Sequence, residues 1–254
     1  MILSHRWRFI FIKGRKIAGT SVEIALSTLC GIHDIVTPIA LRDEVTRFRA
    51  GGQCRNYAWE PTEEPPYRAA IARFVESGED RLDTLPHVPR DSRYYNHMSL
   101  QETLRRHGGN LSGYQVFCVE RSPYSKALSW ANMRASFANY ASGGSMRADR
   151  EQLLKALDLV IADGSISLVR NIDLYRGTDR LLAARVLRYD ELPGALHRFL
   201  TELGAPTPVL PHAKKGLMSD TLDPRGLLRS DHFARLNDLF REEFQTFGYP
   251  MIDP

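Results

Sequence analysis

Residues 9–21 read FIFIKGRKIAGTS, and the fold is decided here. Arg8 leads into the apolar run Phe9–Ile12, which reads as a short buried strand. Gly14 to Gly19 reads as a tight turn holding Lys16 and Ala18. Thr20, Ser21, Val22 and Glu23 open a helix, with the two hydroxyls placed to cap it. A strand, a glycine-bounded loop with a lysine, and a helix N-terminus together make an anion site. Backbone N–H groups point at the ligand there, and the helix dipole favours negative charge.

The spacing nearly matches the nucleotide loop G-x-x-x-x-G-K-[ST]. Gly14 and Gly19 fit, but Thr20 stands where the lysine belongs, and Lys16 lies four residues earlier. A kinase of that type needs the lysine at the helix start to reach the terminal phosphates. The loop is therefore expected to hold a phosphate-like group in another arrangement. An ordinary strand–helix turn with a solvated lysine stays open at this point.

A second stretch, 115–130, reads QVFCVERSPYSKALSW. Tyr114–Glu120 is a strand, and Pro123 starts a helix over about 124–139. Arg121 stands at the strand end, while Ser125 and Ser129 share one helix face at i, i+4. Arg121 and Ser129 are placed to grip one phosphate, a planar fork beside a short hydroxyl.

Lys16-Ile17-Ala18-Gly19-Thr20-Ser21 resembles the K-T-A-G-T-S loop of sulfotransferases that use 3′-phosphoadenosine 5′-phosphosulfate (PAPS). Residues 115–130 resemble that family's 3′-phosphate motif, F-x-x-V-R-[DN]-P-x-x-R-x-x-S. Arg121, Pro123 and Ser129 match in register; Ser122 and Lys126 depart from it, and Glu120 is unusual before the arginine. Lys126 keeps the charge of the usual arginine without its fork. Weaker matches lie at Val186–Leu192 with Leu203–Pro206, and in the closing segment Phe240–Tyr249.

The resemblance implies a P-loop-like α/β three-layer sandwich, with a mostly parallel central sheet and helices on both faces. It implies PAPS as donor, adenosine 3′,5′-bisphosphate as product and no metal requirement. Cofactor contacts fall on Lys16, Ala18, Gly19, Thr20, Ser21, Arg121 and Ser129, with Lys214 and Lys215 in a late basic loop. Lys16 is the electrostatic group at the transferring sulfonate. His97, in Tyr94-Tyr95-Asn96-His97-Met98-Ser99, is the candidate base, as in the similar aromatic-x-x-His segment of the heparan-sulfate type; His87 is its rival. Histidine suits the role because its pKa lies near neutrality. The acceptor implied is a hydroxyl of a carbohydrate or of a glycosylated or lipid molecule.

Composition is compatible with this. The 254 residues are 43% hydrophobic and 25% charged, as in an ordinary globular protein. A net charge of +4, with an isoelectric point near 9.0, suits a polyanionic ligand but not a protein that coats nucleic acid. Arg55, Arg68, Arg73, Arg81, Arg90, Arg93, Arg105 and Arg106 are scattered among acids and read mostly as solvated surface. Cys30, Cys54 and Cys118 have no metal spacing and read as thiols of a reducing compartment. No apolar stretch reaches membrane-spanning length, so no membrane span and a cytoplasmic location are expected.

The chain reads as a single domain, 1–254, in which 40–93 and 134–184 are insertions that shape the acceptor site. Further elements are expected as strands at 33–37 and 184–189, and as helices at 20–30, 69–77, 100–107, 148–162, 191–203 and 230–247. Two other readings remain. One is a P-loop kinase, which needs an acidic strand end for Mg-ATP; the other is a non-catalytic nucleotide or nucleic-acid binder.

Overall fold

The apolar run forms a strand in the middle of a five-stranded sheet, where both its faces are covered. In chain order the elements are β1 (Ile2–Ser4), β2 (Phe9–Phe11), α1 (Gly19–Ser27), β3 (Ile35–Val36) and α2 (Leu41–Arg49). Next come α3 (Glu64–Glu76), α4 (Leu100–His107), β4 (Gln115–Glu120), α5 (Pro123–Ala141) and α6 (Arg150–Ala162). The last are β5 (Arg185–Arg188), α7 (Gly194–Glu202), α8 (Pro224–Leu227), α9 (Ser230–Leu239) and α10 (Arg241–Phe247). The computed structural model describes residues 1–89, 91–141, 148–179, 182, 184–211 and 223–254.

The chain divides into two compact units. Met1–Lys13, Ala18–Val119 and Asp173–Ala213 make the first; Gly14–Ile17, Glu120–Ile172 and Lys214–Pro254 make the second.

The first unit is mixed α/β and holds the sheet, in the order β3-β1-β2-β4-β5, flanked by helices. β1 pairs antiparallel with both β3 and β2, whereas β2 and β4 are parallel. Thus β2, β3 and β4 run one way and β1 runs against them. The expected mostly parallel sheet thus holds one strand, β1, antiparallel to both its neighbours. The tight connection from Ser4 to Phe9 is a hairpin, which requires antiparallel neighbours. Parallel pairing of Phe9, Ile10 and Phe11 with Gln115, Val116 and Phe117 puts the carboxyl ends of β2 and β4 side by side. The centre of the core is aromatic: Phe117 lies 5.7 Å from Phe9, 5.1 Å from Phe11 and 4.3 Å from Phe199, between ring centroids.

The second unit is helical. Tyr124 packs against Phe233 and Phe244 at 5.3 and 4.8 Å, with Leu128, Leu157, Leu236 and Phe240 buried. The helix expected over 230–247 is two, α9 and α10, meeting at Phe240, whose backbone is not helical. The stretch 50–68, expected to be irregular, becomes helical at Glu64 because Pro65 and Pro66 occupy the first turn, where a missing N–H costs nothing. Among the described residues no helix is long and apolar enough to cross a membrane.

Candidate functional site

The loop after β2 is unusual in its backbone. Lys16 and Ala18 have φ of 62° and 59°, the left-handed region that side chains disfavour. Each such residue costs about 1 kcal/mol or more and persists only where its surroundings impose it. Turns that contain left-handed residues can gather backbone N–H groups into an anion-binding nest. Ala18, not a hydroxyl, is the N-cap of α1, and no side chain caps the helix. Thr20 and Ser21 therefore lie inside the first turn, which corrects the capping role expected of them. Thr20 is buried and Ser21 half-buried. The first turn of α1 contains no acid, so nothing on it competes with an anion.

The two flanks of the loop are joined by a buried ion cluster that the sequence reading missed. Lys13, at the end of β2, donates to Glu23 of α1 at 2.7 Å. Glu23 also accepts from the Met1 amino group at 2.9 Å and from Thr37 Oγ1 at 3.0 Å, and Arg47 lies at 3.6 Å. Arg47 in turn pairs with Glu44 at 2.8 Å. Burial pushes the Lys13 ammonium pKa down, and Glu23 only partly restores it. The available signal was Glu23 itself: a lone charge between Val22 and Ile24 on an otherwise apolar helix must be paired if buried.

His97 reaches this region from the segment before α4. Its Nδ1 is 3.0 Å from the backbone carbonyl of Lys13. A carbonyl only accepts, so Nδ1 carries the proton and Nε2 is the basic nitrogen of the neutral ring. His97 also has a left-handed φ, 61°. Both sides of it are fixed. Ser99 caps α4 by accepting from Glu102 N, and the α4 residue Arg106 donates to the carbonyls of Ser92 and Arg93 at 3.0 and 2.8 Å. Arg106 also pairs with Glu102 and lies over the rings of Trp59 and Tyr95 at 5.4 and 5.3 Å. Arg106 and Arg93 are thus structural rather than solvated, because they supply the hydrogen bonds that an irregular segment cannot make for itself. His87 is exposed.

In the second unit, Arg121 follows β4 and is half-buried, with α5 beginning two residues on. Lys16 Nζ lies 3.6 Å from Met133 Sδ. Met133 is four residues beyond Ser129, so Lys16 rests on the α5 face that carries Ser125 and Ser129. Lys126 is removed from the phosphate motif. It is fully buried and donates to Glu120 at 2.5 Å and to Glu243 at 2.7 Å. Its charge is committed to those carboxylates.

Burial, reinforced by Glu243, pushes the Glu120 pKa up to about 7, against the pull of Lys126 and Asn171. An unfolded chain releases that proton near the ordinary 4.5. The stability this group contributes is complete below that value and is lost as pH rises to about 7. Glu120→Gln cannot titrate. The stability of wild type, read as its melting temperature, should therefore fall relative to the variant between about pH 4.5 and 7, by up to about 1.4 kcal/mol per pH unit. Parallel pH profiles for the two proteins would refute this.

Lys214 and Lys215 lie outside the described residues. Among those described, Asp158, Asp231 and His232 bring three possible metal-ligand atoms within 4.8 Å of one another. Arg229 already bridges both carboxylates, at 2.8 and 3.1 Å. The cluster is accounted for as an ion-pair network.

No model of a known protein family matches the chain, and no curated protein sequence does. Among solved structures, the chain is similar to one described as the crystal structure of a sulfotransferase from Alicyclobacillus acidocaldarius. Identity is 17% over 92% of this chain and 95% of that one, with a TM-score of 0.29.

Proposed function

We propose that the chain transfers a sulfonate from PAPS to a hydroxyl of a carbohydrate or of a glycosylated or lipid acceptor. The observation that most supports this reading is the placement of Lys16. It sits within a left-handed loop and rests on α5, the helix that follows Arg121. Lys16 of the first motif thus lies against the helix that carries Ser129 of the second. The groups they offer are donors and cations, which suits a ligand with anionic groups at the 5′ and 3′ positions.

In this reading Lys16, Thr20, Ser21 and the first turn of α1 bind the 5′-phosphosulfate. Arg121 and Ser129 hold the 3′-phosphate, with Lys214 and Lys215 supplementing them. His97 Nε2 takes the acceptor proton as the new oxygen–sulfur bond forms and the sulfur–oxygen bond to the 5′-phosphate breaks. Lys16 stabilises the charge that grows on the leaving oxygen. Residues 40–93 and 134–184 shape the acceptor side. Mg-ATP chemistry is disfavoured because the acid at the end of β4, Glu120, has its oxygens committed to Lys126 and Asn171.

Calorimetry with adenosine 3′,5′-bisphosphate tests the reading, with AMP and Mg-ATP as comparisons. Binding is expected to require the 3′-phosphate and to survive chelation of metal ions. Arg121→Ala should weaken it roughly ten- to a hundredfold, the worth of a hydrogen bond to a charged group. A preference for Mg-ATP, or unchanged affinity in the variant, would overturn the assignment.

A further inference from the structure

Asn171 is fully buried, and no motif points to it. Its side-chain amide pairs reciprocally with the backbone of Arg15. Arg15 N donates to Asn171 Oδ1 at 2.8 Å, and Asn171 Nδ2 donates to the Arg15 carbonyl at 3.0 Å. These are the two bonds that a neighbouring β-strand would make, supplied by one side chain. Nδ2 also donates to Glu120 Oε1 at 3.0 Å. The backbone N–H groups of Asn171 and Ile172 both donate to Glu243 Oε1, at 2.5 and 3.0 Å. Glu120 and Glu243 are tied together by Lys126. The Glu120 carbonyl accepts from the Tyr249 phenol hydroxyl at 2.9 Å.

From this geometry we infer that Asn171 is the positioning residue that sets the phosphate loop and the Arg121 motif in register. Arg15 directly precedes Lys16, and Glu120 directly precedes Arg121. One amide therefore holds the residue before each of the two groups assigned to the anionic ligand. Left-handed Lys16 needs such support, since an unsupported chain relaxes out of that conformation. The Arg15 side chain adds little to this clamp, as its bond to the Leu168 carbonyl is long, at 3.4 Å. The ligand role of this clamp rests on the proposed function; the clamp itself does not.

Two readouts separate those parts. The first is amide hydrogen exchange of the ligand-free protein. In wild type the Arg15 amide should be protected. In Asn171→Ala, exchange over 15–19 should accelerate roughly ten- to a hundredfold, as expected for two lost hydrogen bonds. Asn237→Ala serves as the control, because Asn237 also makes two side-chain bonds in this unit, with Tyr124 and the Ile252 carbonyl. It should leave 15–19 unchanged. The second readout is affinity for adenosine 3′,5′-bisphosphate, expected to fall at least tenfold in Asn171→Ala and to hold in Asn237→Ala. An unprotected Arg15 amide in wild type, or equal loop exchange in the two variants, overturns the clamp even if the nucleotide binds. Should Asn171→Ala fail to fold, the wild-type Arg15 protection still decides. A protected loop in a protein that does not bind the bisphosphate would retain the clamp and refute the sulfotransferase reading.

Discussion

Lys16→Ala is expected to lower sulfonate transfer by roughly two to three orders of magnitude, the usual loss when one preorganised donor to a developing charge is removed. The readout is single-turnover formation of adenosine 3′,5′-bisphosphate from PAPS, with a panel of hydroxyl acceptors. The fold should survive, because Lys16 is only half-buried. His97→Ala should lose about as much, roughly 10²- to 10⁴-fold, while keeping its affinity for the bisphosphate. The contrast is diagnostic, since a base acts on the acceptor and the lysine on the donor. Near-full turnover in Lys16→Ala would remove the loop from the chemistry. Near-full turnover in His97→Ala would dismiss the base while leaving the loop in place.

Glu23→Ala should be the most destabilising single change in the first unit. It strands Lys13, the Met1 amino group and Arg47, all fully or almost fully buried, beside a cavity. Breaking a buried pair from one side costs about 3–5 kcal/mol. That is a large part of the 5–15 kcal/mol typical of a folded protein. The melting temperature should drop by roughly 10 °C in circular dichroism. Glu23→Gln, which keeps an acceptor for Lys13, should lose less. Burial alone would raise the Glu23 pKa, but Lys13, the Met1 amine and Arg47 outweigh it and hold it well below the ordinary carboxylate range. Its contribution is therefore present above the ordinary value and fades only in strong acid, opposite in sign to that of Glu120. A Glu23→Ala protein melting within a degree or two of wild type would show that the cluster contributes nothing.

Local signals were legible wherever they were strong. The runs at Phe9–Ile12 and Tyr114–Glu120 form strands around short apolar stretches, Phe9–Phe11 and Phe117–Val119, that are buried in the sheet. α4 begins at its Ser99 cap and ends at Gly108, whose φ of 69° suits glycine. Pro123 starts α5 as its missing N–H allows. β1 escaped because three residues have no period to detect. α2 escaped because its buried positions include Glu44 and Arg47, a mutually paired couple that reads as surface in a hydropathy pattern.

By itself, then, the sequence determined the strand–loop–helix units, their caps and stops, and the residue types presented at the two anion motifs. These depend on neighbours within a few positions. Only the tertiary structure decided that Lys126 serves Glu120 and Glu243, that Lys13 and Glu23 close the flanks of the loop, that His97 bonds the Lys13 carbonyl, and that Asn171 spans Arg15 and Glu120. Each of those joins residues from 6 to 156 positions apart. Burial makes such polar partners obligatory, and which partner is met depends on how the chain returns, not on the local order of residues.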